Sequence, residues 1–409
     1  MARKVAVIGG GIIGVSCALA LTREGHQVTL IEQGSIGHGC SWGNSAQYNV
    51  GSTLPMAHPG IAWRALSWLT KANGPVGIAP RELLRNIPWF IQFLRTGRPQ
   101  AWGTAYTALH DLNARCVWLY RDMLGDTQWH RLFRPTGALH VWRDPSPGAL
   151  DKLVEELRLA HGVAFDKLDA AELRNLEPGL STQYQRGIFF PGSGSVTSPL
   201  ELVRAIAERA VAKGAAIQTA RVTTVTTNID GVTLQTTAGP HLCDVVVIAA
   251  GIASRDLGRS LGISISVASE RGYHVTIPGV TSVIGRPVVD TPSAFVATPL
   301  GEGLRIAGIA EFDAPDAPPN DRRSAQLLAC AREMLPDLQA MEVSNWMGVR
   351  PSTPDSLPII GSHPDHENVL FATGHGHMGI SGAPMTAALV CDLAARRAPQ
   401  LSCAPYRLR

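Results

Sequence analysis

The sequence predicts an α/β protein in which a mostly parallel sheet is interrupted by an inserted α+β domain of antiparallel sheet and helices. Three observations carry that expectation. A short apolar run rich in β-branched residues, 5–8, leads into Gly9-x-Gly11-x-x-Gly14 and then a stretch of helical spacing over 12–24. The order of strand, glycine-containing turn and helix returns at 245–261 and at 369–397. The 409 residues exceed one ordinary core, and the intervening segments carry a different grammar.

Composition bounds the function. Apolar residues make up 45% and charged residues 17%, as in globular proteins. The net charge is +3 with no run of Lys or Arg, which argues against a nucleic-acid partner. The seven cysteines are scattered, odd in number and without a C-x-x-C pair, so neither a disulfide framework nor a zinc site is expected. That fits a reducing, cytoplasmic setting. Arg3 and Lys4 precede an apolar run, as in a targeting segment, but Gly9, Gly10, Gly11 and Gly14 interrupt it and no cleavage pattern follows.

The run 5–8 is wholly apolar, the mark of a strand buried on both faces, and a second strand, 27–31, ends at Glu32. In a parallel sheet the three glycine turns, after 8, 248 and 372, open on one edge, where ligands bind. Residues 60–125 are helical in pattern, whereas 137–142, 187–190, 271–277 and 304–309 read as strands. A helix over 199–213 and a strand-rich stretch over 216–242 return to the first domain, and the Pro/Asp-rich 313–319 reads as a loop. The expected division is 1–50, 196–264 and 346–409 for the nucleotide domain, with 51–195 and 265–345 for the substrate domain.

The glycine turn carries chemistry. Gly9 and Gly11 permit a tight turn and close approach of a pyrophosphate, Gly14 lets helix pack on strand, and the helix N-terminus offers N–H groups and a positive dipole end. Glu32 is placed to accept a ribose 2′-hydroxyl, which argues against the phosphate of NADP. FAD and NAD both fit such a turn.

The rest of the chain separates them. Gly348-Val349-Arg350-Pro351-Ser352-Thr353-Pro354-Asp355-Ser356-Leu357-Pro358-Ile359-Ile360-Gly361 resembles the family of FAD-dependent amine-oxidising enzymes, the DAO family. Gly374-His375-Gly376-His377-Met378-Gly379 is similar to its G-H-G-x-x-G turn, Gly39-Cys40-Ser41-Trp42-Gly43-Asn44-Ser45-Ala46-Gln47 to its second flavin loop, and Ala249-Ala250-Gly251 with Ser254 to its later strand-end motif. Glu270-Arg271-Gly272-Tyr273 has a counterpart in bacterial D-amino acid dehydrogenases, whereas Ser45-Ala46 stands where the family usually shows Ala-Gly. The resemblance implies a Rossmann-like FAD-binding domain of the glutathione-reductase type. It places the cofactor against Gly9, Gly11, Ile12, Ile13, Gly14, Glu32 and Gln33, then Ser41, Asn44, Ser45, Ala46 and Gln47, and further on Val222, Ala250 and Gly251. The turn Gly374, His375, Gly376, His377, Met378 and Gly379 completes the set. No Cys occurs between Val343 and Asp355, so the FAD is expected to be non-covalent.

Oxidising an amino acid on a flavin asks the protein for orientation and electrostatics. Arg350 is the candidate clamp for the substrate carboxylate, its planar fork matching two parallel hydrogen bonds; an ion-paired arginine is the alternative. The helix after Gly379 brings its dipole to the flavin, and His375 is either an added donor or structural. Tyr273 shares a strand face with Val275 and Ile277 and is either a second carboxylate donor or a core residue, and Tyr48 and Gln47 are further substrate candidates. His363, His366, His375 and His377 lack a recognised metal spacing, so no metal is expected. Trp89, Phe90, Ile91, Phe93 and Leu94, flanked by Arg81, Arg85, Arg95 and Arg98, read as the inner face and rim of a helix, with peripheral membrane contact as the alternative.

The expected activity is oxidation of a D-amino acid, including a cyclic one such as D-proline or D-hydroxyproline. A glycine or sarcosine enzyme, or a flavin-binding subunit without its own site, are the alternatives. The electron acceptor, oxygen or a quinone of the respiratory chain, and the oligomeric state are left open by the sequence.

Overall fold

The computed structural model describes residues 2–63, 74–229, 231–339 and 342–409. Part of the helical pattern read over 60–125 falls on 64–73, outside the described residues.

Six strands form the first sheet, in the spatial order Ala216–Thr219, Gln27–Glu32, Lys4–Ile8, Val245–Ile248, Val369–Thr373 and Ile359–Ser362. All pairings are parallel except the last. Alternation divides the strands between two cores. Val5, Val7, Val245 and Val247 face the helices Ile12–Arg23, Pro199–Ala212 and Gly379–Ala394. Ala6, Ile8, Val246 and Ile248 face a three-stranded antiparallel meander, Val222–Asn228, Gly231–Thr236 and Gly239–Cys243. Both faces are covered, which is why these strands read as unbroken apolar runs. The strands that end in glycine turns, Lys4–Ile8, Val245–Ile248 and Val369–Thr373, are adjacent and parallel, so their turns converge on one edge.

The second sheet has nine strands. Its edge strand Ser344–Ser352 pairs antiparallel with Ala268–Pro278, which pairs in turn with Gly303–Phe312. One face buries Tyr273, Val275, Ile277 and Ile306 against the helix Asp321–Met334, and the other turns toward the glycine turns. Two packing details cross the expected boundaries. The helices Pro99–Asn113 and Cys116–Leu124 bury Leu109, Leu112, Tyr120 and Leu124 in the core of the first sheet. Conversely, residues 346–352 belong to the second sheet, and Pro351 is accommodated there because its strand lies at the edge. Among the described residues, no helix is long and apolar enough to cross a membrane.

Candidate active site and cofactor cavity

A cavity of about 1050 Å³ runs between the glycine turns and the second sheet. At its nucleotide end, Gly9 adopts a left-handed φ of 110°. A side chain on Gly14 would collide with the Gly9 carbonyl oxygen, so only glycine allows helix and strand to close up there. Gly11 differs, because an added Cβ would meet only Ser41 Oγ, at 3.1 Å. Its open side is the cavity. Ser41 Oγ accepts the Ile12 N–H at 3.0 Å, and the remaining first-turn N–H groups, toward Ile13, stay available to an anion.

Glu32 accepts the N–H of Gly10 at 2.6 Å and of Gly34 at 2.9 Å. A carboxylate offers about four lone-pair directions, so two are left for ribose hydroxyls. Glu32 and Gln33 line the cavity with Val222, Ala250 and Gly251. From the second loop, Ser41, Asn44, Ser45 and Gln47 do so as well. Gln47 Nε2 is buried with no hydrogen-bond partner, the kind of group that a bound cofactor satisfies. Ala46 is buried at a left-handed φ of 65°, its N–H held by Asn44 Oδ1 at 2.8 Å, which explains why glycine is usual there. Taken together, these residues fit FAD.

At the other end, Gly374, His375, Gly376, His377 and Gly379 line the cavity, and Met378 begins the helix Gly379–Ala394 from behind them. His375 Nε2 lies 2.8 Å from Thr386 Oγ1, whose own proton goes to the Gly382 carbonyl at 2.8 Å. The histidine therefore donates from Nε2, and burial pushes its pKa down to about 3. It is a neutral, anchored ring. His377 turns toward the cavity, and the surrounding protein lowers its pKa with help from Arg350 and against the pull of Glu270.

Arg350 lines the same cavity. Its Nη1 donates to Glu270 Oε1 at 2.7 Å and to the Ile309 carbonyl at 3.1 Å. Glu270 is 1% exposed and also accepts the Ser352 hydroxyl at 2.6 Å. The guanidinium lies across Gly272, where a Cβ would overlap it. Opposite Gly272, two residues, Ile309 and Ala310, stand where one would keep register, and Ile309 takes a left-handed φ of 62°. This bulge turns the Ile309 carbonyl to the guanidinium. Arg350 is thus both ion-paired and at the cavity wall, with Nη2 and Nε not engaged by Glu270 or Ile309.

Of the two candidate tyrosines, Tyr273 takes its core alternative and Tyr48 is also a core residue. Tyr273 sits on the opposite face of its strand from Glu270, Gly272 and His274, because neighbouring strand positions alternate. Its hydroxyl donates to Glu311 at 2.5 Å within the core of the second sheet, so it does not stand beside Arg350. Burial and that bond push its pKa up to about 12. Tyr48 packs against Trp129 and Phe133, and the cavity is reached by its neighbour Gln47 instead. Sequence reading missed Glu270 as a site residue although it singled out Glu270-Arg271-Gly272-Tyr273, because its pairing opposite Arg350 exists only in the sheet. It also missed Trp346, whose ring stacks on His274 at 5.0 Å and lines the cavity.

Comparison with known proteins agrees with this geometry. The family described as DAO, FAD dependent oxidoreductase, matches residues 4–393. A D-amino-acid oxidase of Bradyrhizobium diazoefficiens is 34% identical over 99% of this chain and 98% of its own. A D-amino acid dehydrogenase of Methylobacterium nodulans is 30% identical over 98% and 97%. In fold, the chain is similar to glycine oxidase from Geobacillus kaustophilus, with a TM-score of 0.76, 24% identity and coverage of 100% and 98%. It is also similar to L-proline dehydrogenase from P. horikoshii, with a TM-score of 0.77, 20% identity and coverage of 99% and 96%. The chain belongs to the DAO family of FAD dependent oxidoreductases.

Proposed function

We propose that this enzyme oxidises the Cα–N bond of a D-amino acid to the imino acid. The observation that carries the reading is Arg350, seated by Glu270 and the Ile309 carbonyl at the wall of the cofactor cavity with part of its fork unused. Similarity to a D-amino-acid oxidase and a D-amino acid dehydrogenase supports the D-configuration in this reading. Bound FAD supplies a two-electron acceptor for the hydride leaving Cα. Arg350 holds the carboxylate by parallel hydrogen bonds and so fixes Cα. The N-terminus of the helix Gly379–Ala394 points its first N–H groups and dipole at the cavity, where they would stabilise negative charge on a reduced flavin, and the neutral His375 braces that turn.

The test is a yellow preparation mixed anaerobically with D-amino acids, including D-proline and D-hydroxyproline, and separately with L-amino acids, glycine and sarcosine. Bleaching by D-amino acids is expected. Bleaching by glycine or sarcosine alone, or by none of them, refutes the reading. Peroxide formed in air marks oxygen as acceptor, and its absence with active dye reduction marks an acceptor other than oxygen, for which a quinone is then assayed directly. Support for membrane contact comes from the helices Pro80–Arg85 and Ile87–Thr96, which expose Leu84, Ile87, Ile91 and Leu94 beside Arg81, Arg85, Arg95 and Arg98. Co-flotation with anionic vesicles checks it.

A further inference from the structure

Beside the cofactor cavity lies a second chamber of about 310 Å³, separated from it by Glu270 and the turn Gly374–His377, which line both. We propose that this chamber receives the substrate side chain, and that the enzyme is built for amino acids with large apolar or aromatic side chains. The inference rests on the reading above in placing the substrate carboxylate at Arg350.

The chamber lies between the helix Ile87–Thr96 with its neighbours on one side and the segments 352–356 and 374–377 on the other. Trp89, Phe90, Phe93 and Phe312 form its aromatic wall, with the Trp89 and Phe93 rings stacked at 5.4 Å, and Ile78 and Met56 add aliphatic surface. Its ionisable side chains, Glu270, His375 and His377, all stand on the edge shared with the cofactor cavity. Two of them are already engaged: Glu270 with Arg350 and Ser352, and His375 with Thr386. Among the described residues, the wall deeper than that edge offers no charged partner, only the hydroxyl-bearing Ser352, Thr353 and Ser356, so acidic and basic side chains are disfavoured there. Glycine, sarcosine or alanine would leave the volume empty.

The chamber is tied to the clamp. The Trp89 indole N–H donates to the Ser352 carbonyl at 2.9 Å, two residues beyond Arg350 on the same strand. At about 3.3 Å per strand residue, the anchored backbone lies about 7 Å along the strand from the backbone of Arg350. An apolar electron acceptor would also suit such walls. Arg350, on the cofactor-cavity side of Glu270, favours a molecule with a carboxylate at one end and hydrocarbon at the other.

Desamino analogues test this without turnover. Propanoate, 4-methylpentanoate and 3-phenylpropanoate carry the alanine, leucine and phenylalanine side chains, and their dissociation constants are read from the flavin absorbance of the holoenzyme. We expect 3-phenylpropanoate to bind at least about tenfold more tightly than propanoate, the lower range for a few methylene groups in an apolar pocket. Ile78→Trp fills the chamber and Phe90→Asp makes it polar, both at half-buried positions. Each should erase the preference and leave propanoate binding within about twofold. Equal binding of all three analogues overturns the chamber, even where D-alanine bleaches the flavin and so upholds the activity. A preference that survives both variants also overturns it, as does an apolar benzoquinone whose reduction alone they block. Chamber-dependent binding of 3-phenylpropanoate, with no D-amino acid bleaching the flavin, upholds the chamber and removes the activity.

Discussion

Replacing Arg350 by Met separates the clamp from the architecture that holds it. The aliphatic stem is kept and the fork is removed. Truncating one partner of a buried charge pair costs about 2–5 kcal/mol, so kcat/KM should fall by about 30- to 5,000-fold. The substitution also strands the Glu270 carboxylate, which is 1% exposed. Breaking a buried pair costs up to about 3–5 kcal/mol of stability, but Ser352 still donates to Glu270 at 2.6 Å, which places the expected loss at the lower end. Glu270→Gln tests the other side. The amide oxygen still accepts from Arg350, so stability falls by about 1–3 kcal/mol, while the guanidinium loses its neutralising charge and part of its anchoring. A lower KM with a lower kcat is expected. Since the two residues touch, the double variant should be more stable than the sum of the singles implies, by about 0.5–3 kcal/mol. Thermal unfolding, flavin absorbance and dye-linked kinetics report the three quantities. Arg350→Met protein that retains its flavin and keeps kcat/KM within threefold of wild type would refute the clamp.

Gly11→Val and Gly14→Ala should fail in different ways. Gly11 faces the cavity, so Val there should give folded but colourless protein, whereas Ala at Gly14 strikes the Gly9 carbonyl and should impair folding itself; circular dichroism and flavin content separate them. Trp89→Phe leaves the buried Ser352 carbonyl without its indole donor and should cost about 1–3 kcal/mol, read by thermal unfolding. His140, His274 and His375 are buried, each with its pKa pushed down to about 3 by burial. Unfolded, they bind a proton near pH 6.5, so their contribution is intact above that pH and is lost as pH falls toward 3, at up to about 4 kcal/mol per pH unit for three groups. A melting temperature unchanged between pH 7 and 5 would contradict their neutral burial.

The nucleotide domain was legible because its signals are local. Lys4–Ile8, Val245–Ile248 and Val369–Thr373 are apolar on both faces and end in glycine, and neither feature depends on distant contacts. Ser344–Ser352 was not read as a strand, since Gly348 and Pro351 weaken any strand pattern, and what holds it is pairing with Ala268–Pro278. The helices Pro99–Asn113 and Cys116–Leu124 were recognised as helical but not as part of the first core, because an amphipathic face does not say which partner covers it. For Tyr273 the parity of alternation placed it correctly with Val275 and Ile277, but did not say which partner that face meets. In this strand of eleven residues ten are buried, so the polar face is as covered as the apolar one, and hydropathy does not say that its cover is a cavity wall.

That parity decides the chemistry. The cavity face of Ala268–Pro278 carries Glu270, Gly272 and His274, a set that a hydropathy rule would assign to solvent or to a turn. Each departs from strand preference, and each has a use. Gly272 leaves the space in which the Arg350 guanidinium lies, and Glu270 fixes its charge. His274, held to the Gly43 carbonyl at 3.1 Å and stacked on Trp346, ties the second flavin loop to the same sheet. The left-handed Ile309 opposite them is a β-branched residue where glycine would be easier, and it persists because the bulge presents its carbonyl to Arg350. Local rules fail together at this one patch because the sheet there is shaped around a cation rather than around its own core.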